Sequence, residues 1–80
     1  MKVKCCVRKY ETIEVEISDE YRKLATPYPW NDPNVSNEDY DKCADAIEKL
    51  TGITVDDDAD KDVVIVSVWS AENGETMLEF

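Results

Sequence analysis

The sequence predicts an α+β fold in the order ββαββ, with a four-stranded antiparallel sheet and one main helix packed on one face. Three observations lead to this prediction. Apolar and polar side chains alternate near the start, an amphipathic stretch with helix-capping signals follows, and a β-branched run precedes Asn-Gly near the end. With 80 residues, the chain is expected to form one small α+β domain over residues 1–80.

The first two strands are predicted from residues 2–8 and 12–17, where every second side chain is apolar. A hairpin turning at residues 9–11 places both apolar sets on one face. On the other face it brings Lys2 and Lys4 near two glutamates, which favours antiparallel pairing through opposite charges. A single long bent strand is the alternative.

Two segments connect this hairpin to the main helix. Ser18 is suited to cap a short helical turn that ends at about Leu24. Residues 26–34 hold three prolines and are predicted to form a loop, because proline lacks a backbone donor and restricts the residue before it.

The main helix is predicted to start at Ser36 and to stop at Gly52. Ser36 and Asp39 resemble a capping box with aspartate in the glutamate position, and glycine is the usual residue just beyond a helix end. Between them, apolar side chains recur at helical spacing and form one stripe of Tyr40, Cys43, Ile47 and Leu50.

The last two strands are predicted around the turn signal Asn73-Gly74. Residues 63–69 are nearly all apolar and are expected to form a central strand buried on both faces. In that strand, residues 64, 66 and 68 should oppose 63, 65 and 69. Residues 75–80 should return with Leu78 and Phe80 beside Trp69 and Ile65. A brief strand at residues 53–55 is the further element that the pattern allows.

Charge is distributed unevenly along the chain, whose formal net charge is −10. Residues 1–23 hold six basic and five acidic residues, whereas residues 24–80 hold three basic and fourteen acidic residues. The second segment therefore carries a net charge of −11. Such a surface repels nucleic acid and attracts basic protein surfaces.

The residue content argues against catalysis. The chain has no histidine, so it lacks the usual general base near neutral pH and the usual partner of a cysteine nucleophile. Its only glycines, Gly52 and Gly74, form no phosphate-binding loop. We therefore expect no enzyme activity, no catalytic residues and no cofactor.

The three cysteines do not indicate a metal site or a disulfide framework. Structural zinc takes four ligands, and here two cysteines are adjacent on a strand, with no fourth cysteine or histidine in the chain. We expect Cys5 and Cys43 to be small core residues that meet where the helix packs on the sheet, and Cys6 to be more exposed.

An aspartate-rich segment follows the main helix, and its alternation resembles a calcium loop. Neither EF-hand register fits, because Lys61 or Val63 stands where glycine is needed. A solvated turn, weak divalent-ion binding and a partner-binding patch are the three interpretations. The acids of this segment that we select as candidate partner-binding residues are Asp56, Asp57, Asp58, Asp60 and Asp62.

A second candidate partner-binding group lies on the main helix, within a sector of about 80° opposite the apolar stripe. Its members are Glu38, Asp41, Asp45 and Glu48. Neighbours at this spacing are about 5–6 Å apart at Cβ, which is comparable to neighbouring phosphates along a nucleic-acid strand. The alternative is a solvated face, in which Lys42 and Lys49 pair with acids one turn earlier.

Tyr28 and Trp30 in the proline-rich loop are the remaining candidate partner-binding residues. Exposed aromatic side chains on a rigid loop are good anchors for an interface. The alternative is that these rings fold back over the uncovered face of the sheet, and we favour this alternative for Trp30.

These observations together favour a non-catalytic acidic binding protein that mimics nucleic-acid phosphates. It would occupy a basic nucleic-acid-binding site on a larger protein, such as a nuclease or a CRISPR effector, without binding nucleic acid itself. A phage or mobile-element inhibitor of the anti-CRISPR or anti-restriction type would act in this way. The alternative is a small accessory or assembly module that self-associates or docks through a strand edge or the Tyr28–Trp30 loop.

The expected location is the cytoplasm of a bacterium or of an infected host cell. Met1 is followed by two lysines but by no apolar stretch long enough for a signal peptide. The longest apolar run, residues 63–69, is too short to span a bilayer. Three cysteines, an odd number that makes no disulfide framework, are compatible with a reducing compartment.

Overall fold

The computed structural model of the chain describes residues 1–8, 11–56 and 63–80. Within them one α-helix, α1, spans Asn37–Thr51, and two short 3-10 helices span Asp19–Leu24 and Pro29–Asn31. The strands are β1 (Lys2–Val7), β2 (Glu11–Glu16), β3 (Thr54–Val55), β4 (Val64–Ser70) and β5 (Thr76–Glu79).

The α+β class with one main helix on a sheet is confirmed, but the sheet has five strands and is mixed. The order is β2-β1-β4, and both β3 and β5 pair with the remaining side of β4. Strand β5 lies opposite Ser67–Trp69 only, which leaves the backbone of Val64 and Ile65 open on that side. The two-residue strand β3 pairs there in parallel, so the brief strand allowed at residues 53–55 joins the four expected antiparallel strands as a fifth.

The first hairpin is antiparallel as predicted, although β2 starts at Glu11, inside the predicted turn. Strands β1 and β2 are antiparallel, with Lys2 opposite Glu16 and Lys4 opposite Glu14. The Lys2 ammonium lies 3.7 Å from the Glu14 carboxylate, so the opposite charges do meet across the strands. Residues 9 and 10 of the predicted turn lie outside the described residues.

The core lies between the sheet and α1. Cys5 and Cys43 are both fully buried in it, as expected, together with Ile47 from the helix. Leu50, which we placed on the same stripe, is 60% exposed. The buried line runs from residue 43 to 47 and on to the half-buried Thr51, in steps of four, so residue 50 falls to one side of it.

A bulge in β4 interrupts the alternation of its side chains between the two faces of the sheet. The register of β4 against β1 shifts so that Val7 lies opposite Ile65 and Cys6 opposite Ser67, leaving residue 66 as an extra residue. A bulge of this kind puts Ile65 and Val68 on one face, so the predicted uninterrupted alternation was wrong. Val63 precedes the strand and is exposed, and Val66, Ser67 and Trp69 are only half-buried.

The last hairpin forms at Asn73-Gly74, where Gly74 adopts a positive φ of 75°. Its register differs from the predicted one, since Leu78 lies opposite Val68 and Thr76 lies opposite Trp69. The register shifts between Val68 and Trp69, and this irregularity moves the partners by one residue.

Capping fixes both ends of α1. The Asp39 carboxylate accepts hydrogen bonds from the Ser36 backbone N–H at 2.8 Å and from its hydroxyl at 3.2 Å. The Lys23 ammonium lies 3.1 Å from the same carboxylate. At the other end Gly52 has a φ of 71°, the left-handed conformation predicted for a glycine at this position.

Candidate functional site

A groove of about 500 Å³ runs between one flank of α1 and the end of β5. Asp41, Asp45 and Glu48 line it from the helix, and Glu79 and Phe80 line it from the strand. The fold therefore brings three of the four predicted helix acids to one concave surface. Glu38, the fourth, is exposed at the first turn of α1 and does not line this groove.

The position of the acids follows from the helical repeat. Residues 41, 45 and 48 succeed one another at spacings of four and three, so their side chains lie on one face of α1. The face beside them carries Cys43 and Ile47 and is buried in the core. The acids consequently lie beside β5 and β3. The sequence placed them opposite the apolar stripe, where they would have projected away from the sheet.

Glu48 has a structural contact that the other helix acids lack. It is half-buried, and its Oε1 accepts a hydrogen bond of 2.8 Å from the backbone N–H of Val55 in β3. This bond ties the last turns of α1 to the short parallel strand. One oxygen of this carboxylate is therefore already engaged within the protein.

Asp41 and Asp45 are exposed. Asp45 accepts the ammonium of Lys49 at 2.9 Å, so the i,i+4 pair predicted for a solvated face does form. Both of its side chains are largely exposed, and such pairs are screened by water and salt. Pairing therefore leaves most of the negative potential of this flank in place.

The aspartate-rich segment begins beside the same flank. Asp56 directly follows β3, and its backbone N–H donates to the carbonyl oxygen of Ile65 at 3.1 Å. Its neighbour Val55 is the residue that Glu48 holds. The other members of the predicted acidic patch lie outside the described residues, and they are Asp57, Asp58, Asp60 and Asp62.

Tyr28 and Trp30 are 65% and 69% exposed, so our preferred expectation that Trp30 covers the sheet was wrong. Their rings contact each other edge-to-face, with centroids 5.7 Å apart. Pro29 between them is buried and starts a short 3-10 helix. Burial of the proline anchors the loop on the domain, and both neighbouring rings project into solvent.

A second groove, of about 320 Å³, continues from Trp30 along β5. It shares Tyr40, Met77 and Glu79 with the first groove, so the two are adjoining parts of one concave surface. We call this surface the β5 groove, and it extends from Trp30 past Tyr40 to Phe80.

Sequence reasoning missed part of this surface. Phe80 was expected beside a core residue, yet it is 51% exposed at the end of β5. Glu75 and Glu79 also line the β5 groove, although neither was selected as a candidate. An aromatic residue and two acids around a short final strand could have indicated a binding surface. That inference also requires the strand to lie at the sheet edge, which the sequence does not show.

The buried cysteines add no nucleophile to this site. Burial raises the pKa of the Cys5 thiol to about 11 and that of Cys43 to about 12. Both thiols are therefore protonated at neutral pH, the less reactive form. Cys6 is half-buried on the other face of the sheet. Among the described residues, no group of three or more acidic or cysteine side chains is arranged to hold a metal ion.

No protein-family model matches the chain, and neither the curated proteins nor the solved structures include a significant match to it. In the part of the chain that the structure describes, no helix is long and apolar enough to cross a membrane.

Proposed function

We propose that this protein is a non-catalytic acidic binding protein that occupies a basic, nucleic-acid-binding site on a larger protein. Its carboxylates take the places of phosphates, as they would in a phage or mobile-element inhibitor of the anti-CRISPR or anti-restriction type. The observation that supports this function best is the clustering of exposed acids along one flank of α1, in a segment whose net charge is −11.

Among the described candidate acids, four are exposed and support mimicry. Glu38, Asp41 and Asp45 are exposed on successive turns of a rigid helix, and Asp56 is exposed after β3. Glu48 contributes charge to the flank, but it is held by Val55. Fixed spacing favours mimicry, because the helix already orders the backbone that carries these side chains, so no backbone entropy is lost when they bind.

Electrostatic attraction accounts for how such a protein would find its target. A basic nucleic-acid channel carries a positive potential, and an anionic partner is steered into it at a rate that falls as salt screens both surfaces. Once bound, this protein would block the partner's basic site and repel nucleic acid, because both carry negative charge.

The test is retention and displacement on immobilised protein. A nuclease-treated bacterial lysate is passed over wild type and over a D41K/D45K double variant, and bound proteins are eluted with double-stranded DNA. We expect nucleic-acid-binding proteins to be retained by wild type, to be displaced by DNA, and to bind the variant several-fold less strongly or not at all.

The control is E11K/E14K, which changes the net charge equally but at the opposite edge of the sheet. Retention that is equal for both double variants, or that DNA does not reverse, would contradict phosphate mimicry.

The second candidate function, docking of an accessory module through a strand edge or the proline loop, is favoured by the exposure of Tyr28 and Trp30. Multi-angle light scattering separates the two functions. A dimer that persists unchanged at high salt supports an assembly module, and a monomer at all salt concentrations supports the inhibitor.

A further inference from the structure

In the part of the chain that the structure describes, strand β5 is an edge of the sheet, because β4 is the only strand that pairs with it. The backbone N–H of Phe80 donates to the carbonyl oxygen of Val66 at 3.0 Å. Backbone groups alternate in direction along an antiparallel strand, so the N–H and C=O of the preceding Glu79 point away from β4. An edge of this kind can accept another strand.

The surroundings of β5 are suited to a bound chain. The β5 groove follows the strand on the side of α1, and it has aromatic side chains at Trp30, Tyr40 and Phe80. Trp30 and Phe80 are both more than half exposed. Aromatic anchors next to an unpaired strand edge provide apolar contacts in addition to the main-chain hydrogen bonds of an added strand.

The charge of the groove identifies the occupant. Its described lining includes no lysine or arginine but five acids, namely Asp41, Asp45, Glu48, Glu75 and Glu79. A second copy of this chain would bring its own acids against these, which opposes pairing. A segment bearing cations would instead place opposite charges along the same line.

We propose that β5 binds an extended segment of the partner protein that carries lysine or arginine at every second position, and that this segment adds to the sheet as a further strand. The proposal rests on the proposed function and specifies how the basic partner is held. Alternate side chains of the segment face α1, where their cations meet Asp41 and Asp45. Their aliphatic stems lie against Tyr40 and Phe80.

The test uses a fluorescein-labelled peptide that alternates lysine and threonine, with an alternating glutamate and threonine peptide as the control. Fluorescence anisotropy at low salt should show binding of the lysine peptide only. The E79P variant removes the outward N–H of β5, at an edge position where proline is tolerated, and E79Q removes the charge alone. We expect E79P to bind about tenfold more weakly than E79Q.

The matched control is E14P, which places proline at the outward-facing position of the other edge strand, β2. Its affinity for the peptide should equal that of wild type. Equal affinities of E79P and E79Q would show attraction without strand addition and would overturn the proposal.

A measurement on wild type keeps the test decisive if E79P does not fold. Hydrogen exchange of the Glu79 amide should slow when the peptide is bound, because an added strand protects that N–H. Unchanged exchange at a saturating peptide concentration would overturn the proposal. So would a homodimer that light scattering detects and that E79Q strengthens, since the second copy would then be the occupant.

The failure of strand addition and the failure of the proposed function give different experimental outcomes. If the peptide does not bind but DNA still displaces retained proteins from wild type and not from D41K/D45K, strand addition fails and phosphate mimicry stands. If retention is independent of Asp41 and Asp45 while E79P loses the peptide, phosphate mimicry fails and strand addition stands.

Discussion

At the scale of single residues, similar side chains have different roles because their surroundings differ. Asp41 and Asp45 are exposed at the β5 groove, whereas Glu48, on the same flank, holds the backbone of Val55. Asp39 lies near them in sequence, but its carboxylate holds the start of α1 and the ammonium of Lys23. Of these acids, only Asp41 and Asp45 are both exposed at the groove and free of a backbone contact to another element.

The contacts of Asp39 predict a pH dependence of stability. The hydrogen bond from Ser36 N–H, and then the Lys23 ammonium, hold the pKa of its carboxyl below the ordinary value of 3.8. A lowered pKa stabilises the folded state fully above 3.8, and this stabilisation is lost as the pH falls through the lowered value.

We therefore expect wild type to be more stable than D39N at neutral pH, and the difference to decrease below pH 3.8 and to disappear as the pH falls through the lowered pKa. Urea unfolding of both proteins over this range measures it. A difference that stays constant with pH would contradict the ionic role of Asp39.

At the scale of elements, the position of the helix follows from its capped ends and its line of buried residues. The position of each strand follows from the strands that pair with it. The buried line of α1 follows Cys43 and Ile47 and leaves Leu50 in solvent. Strand β5 pairs with Ser67–Trp69 and β3 with residues 64–65, and among the described strands β5 is the edge beside the acidic flank.

A matched pair of substitutions tests the position of the buried line. Ile47→Ala should lower the free energy of unfolding by about 2–5 kcal/mol, because it removes a fully buried side chain. Leu50→Ala should change it by about 0.5 kcal/mol or less. Urea denaturation measures both. If Ile47→Ala does not fold, Ile47→Val, with an expected loss of about 0.5–1.5 kcal/mol, replaces it. Similar losses at both positions would contradict the arrangement.

At the scale of the whole molecule, acidic residues are concentrated in one part of the chain, whereas the charges of the first hairpin nearly cancel. Lys2 and Lys4 lie opposite glutamates across β1 and β2, so this end of the sheet is nearly neutral. The excess negative charge lies in the segment that contains α1 and β5. The same concentration that would attract a basic partner also repels itself in the folded state.

Self-repulsion predicts that salt stabilises this protein. Screening shortens the range of charge interactions to about 10 Å at about 0.1 M salt. We expect the melting temperature to rise as sodium chloride increases from about 0.01 M to about 0.1 M and beyond. Circular dichroism measures this change, and D41N/D45N, with two fewer negative charges, should show a smaller rise. A melting temperature that falls steadily over this range would contradict it.

The sequence alone was enough to predict the α+β class, the antiparallel pairing of the first hairpin, the two ends of α1 and the turn at Gly74. Each of these depends on local signals, namely side-chain alternation, capping residues and glycines with positive φ. It also indicated Asp41 and Asp45 as neighbours, because helical spacing is local.

The surface that those acids face depends on how the folded chain packs. The bulge in β4, the parallel pairing of β3 and the edge position of β5 depend on contacts between segments far apart in the chain, which no local pattern encodes. Exposure of Trp30 depends likewise on where Pro29 is buried. The groove that unites Asp41, Trp30 and Phe80 is a product of packing, since its walls come from a loop, a helix and an edge strand that meet only in the folded molecule.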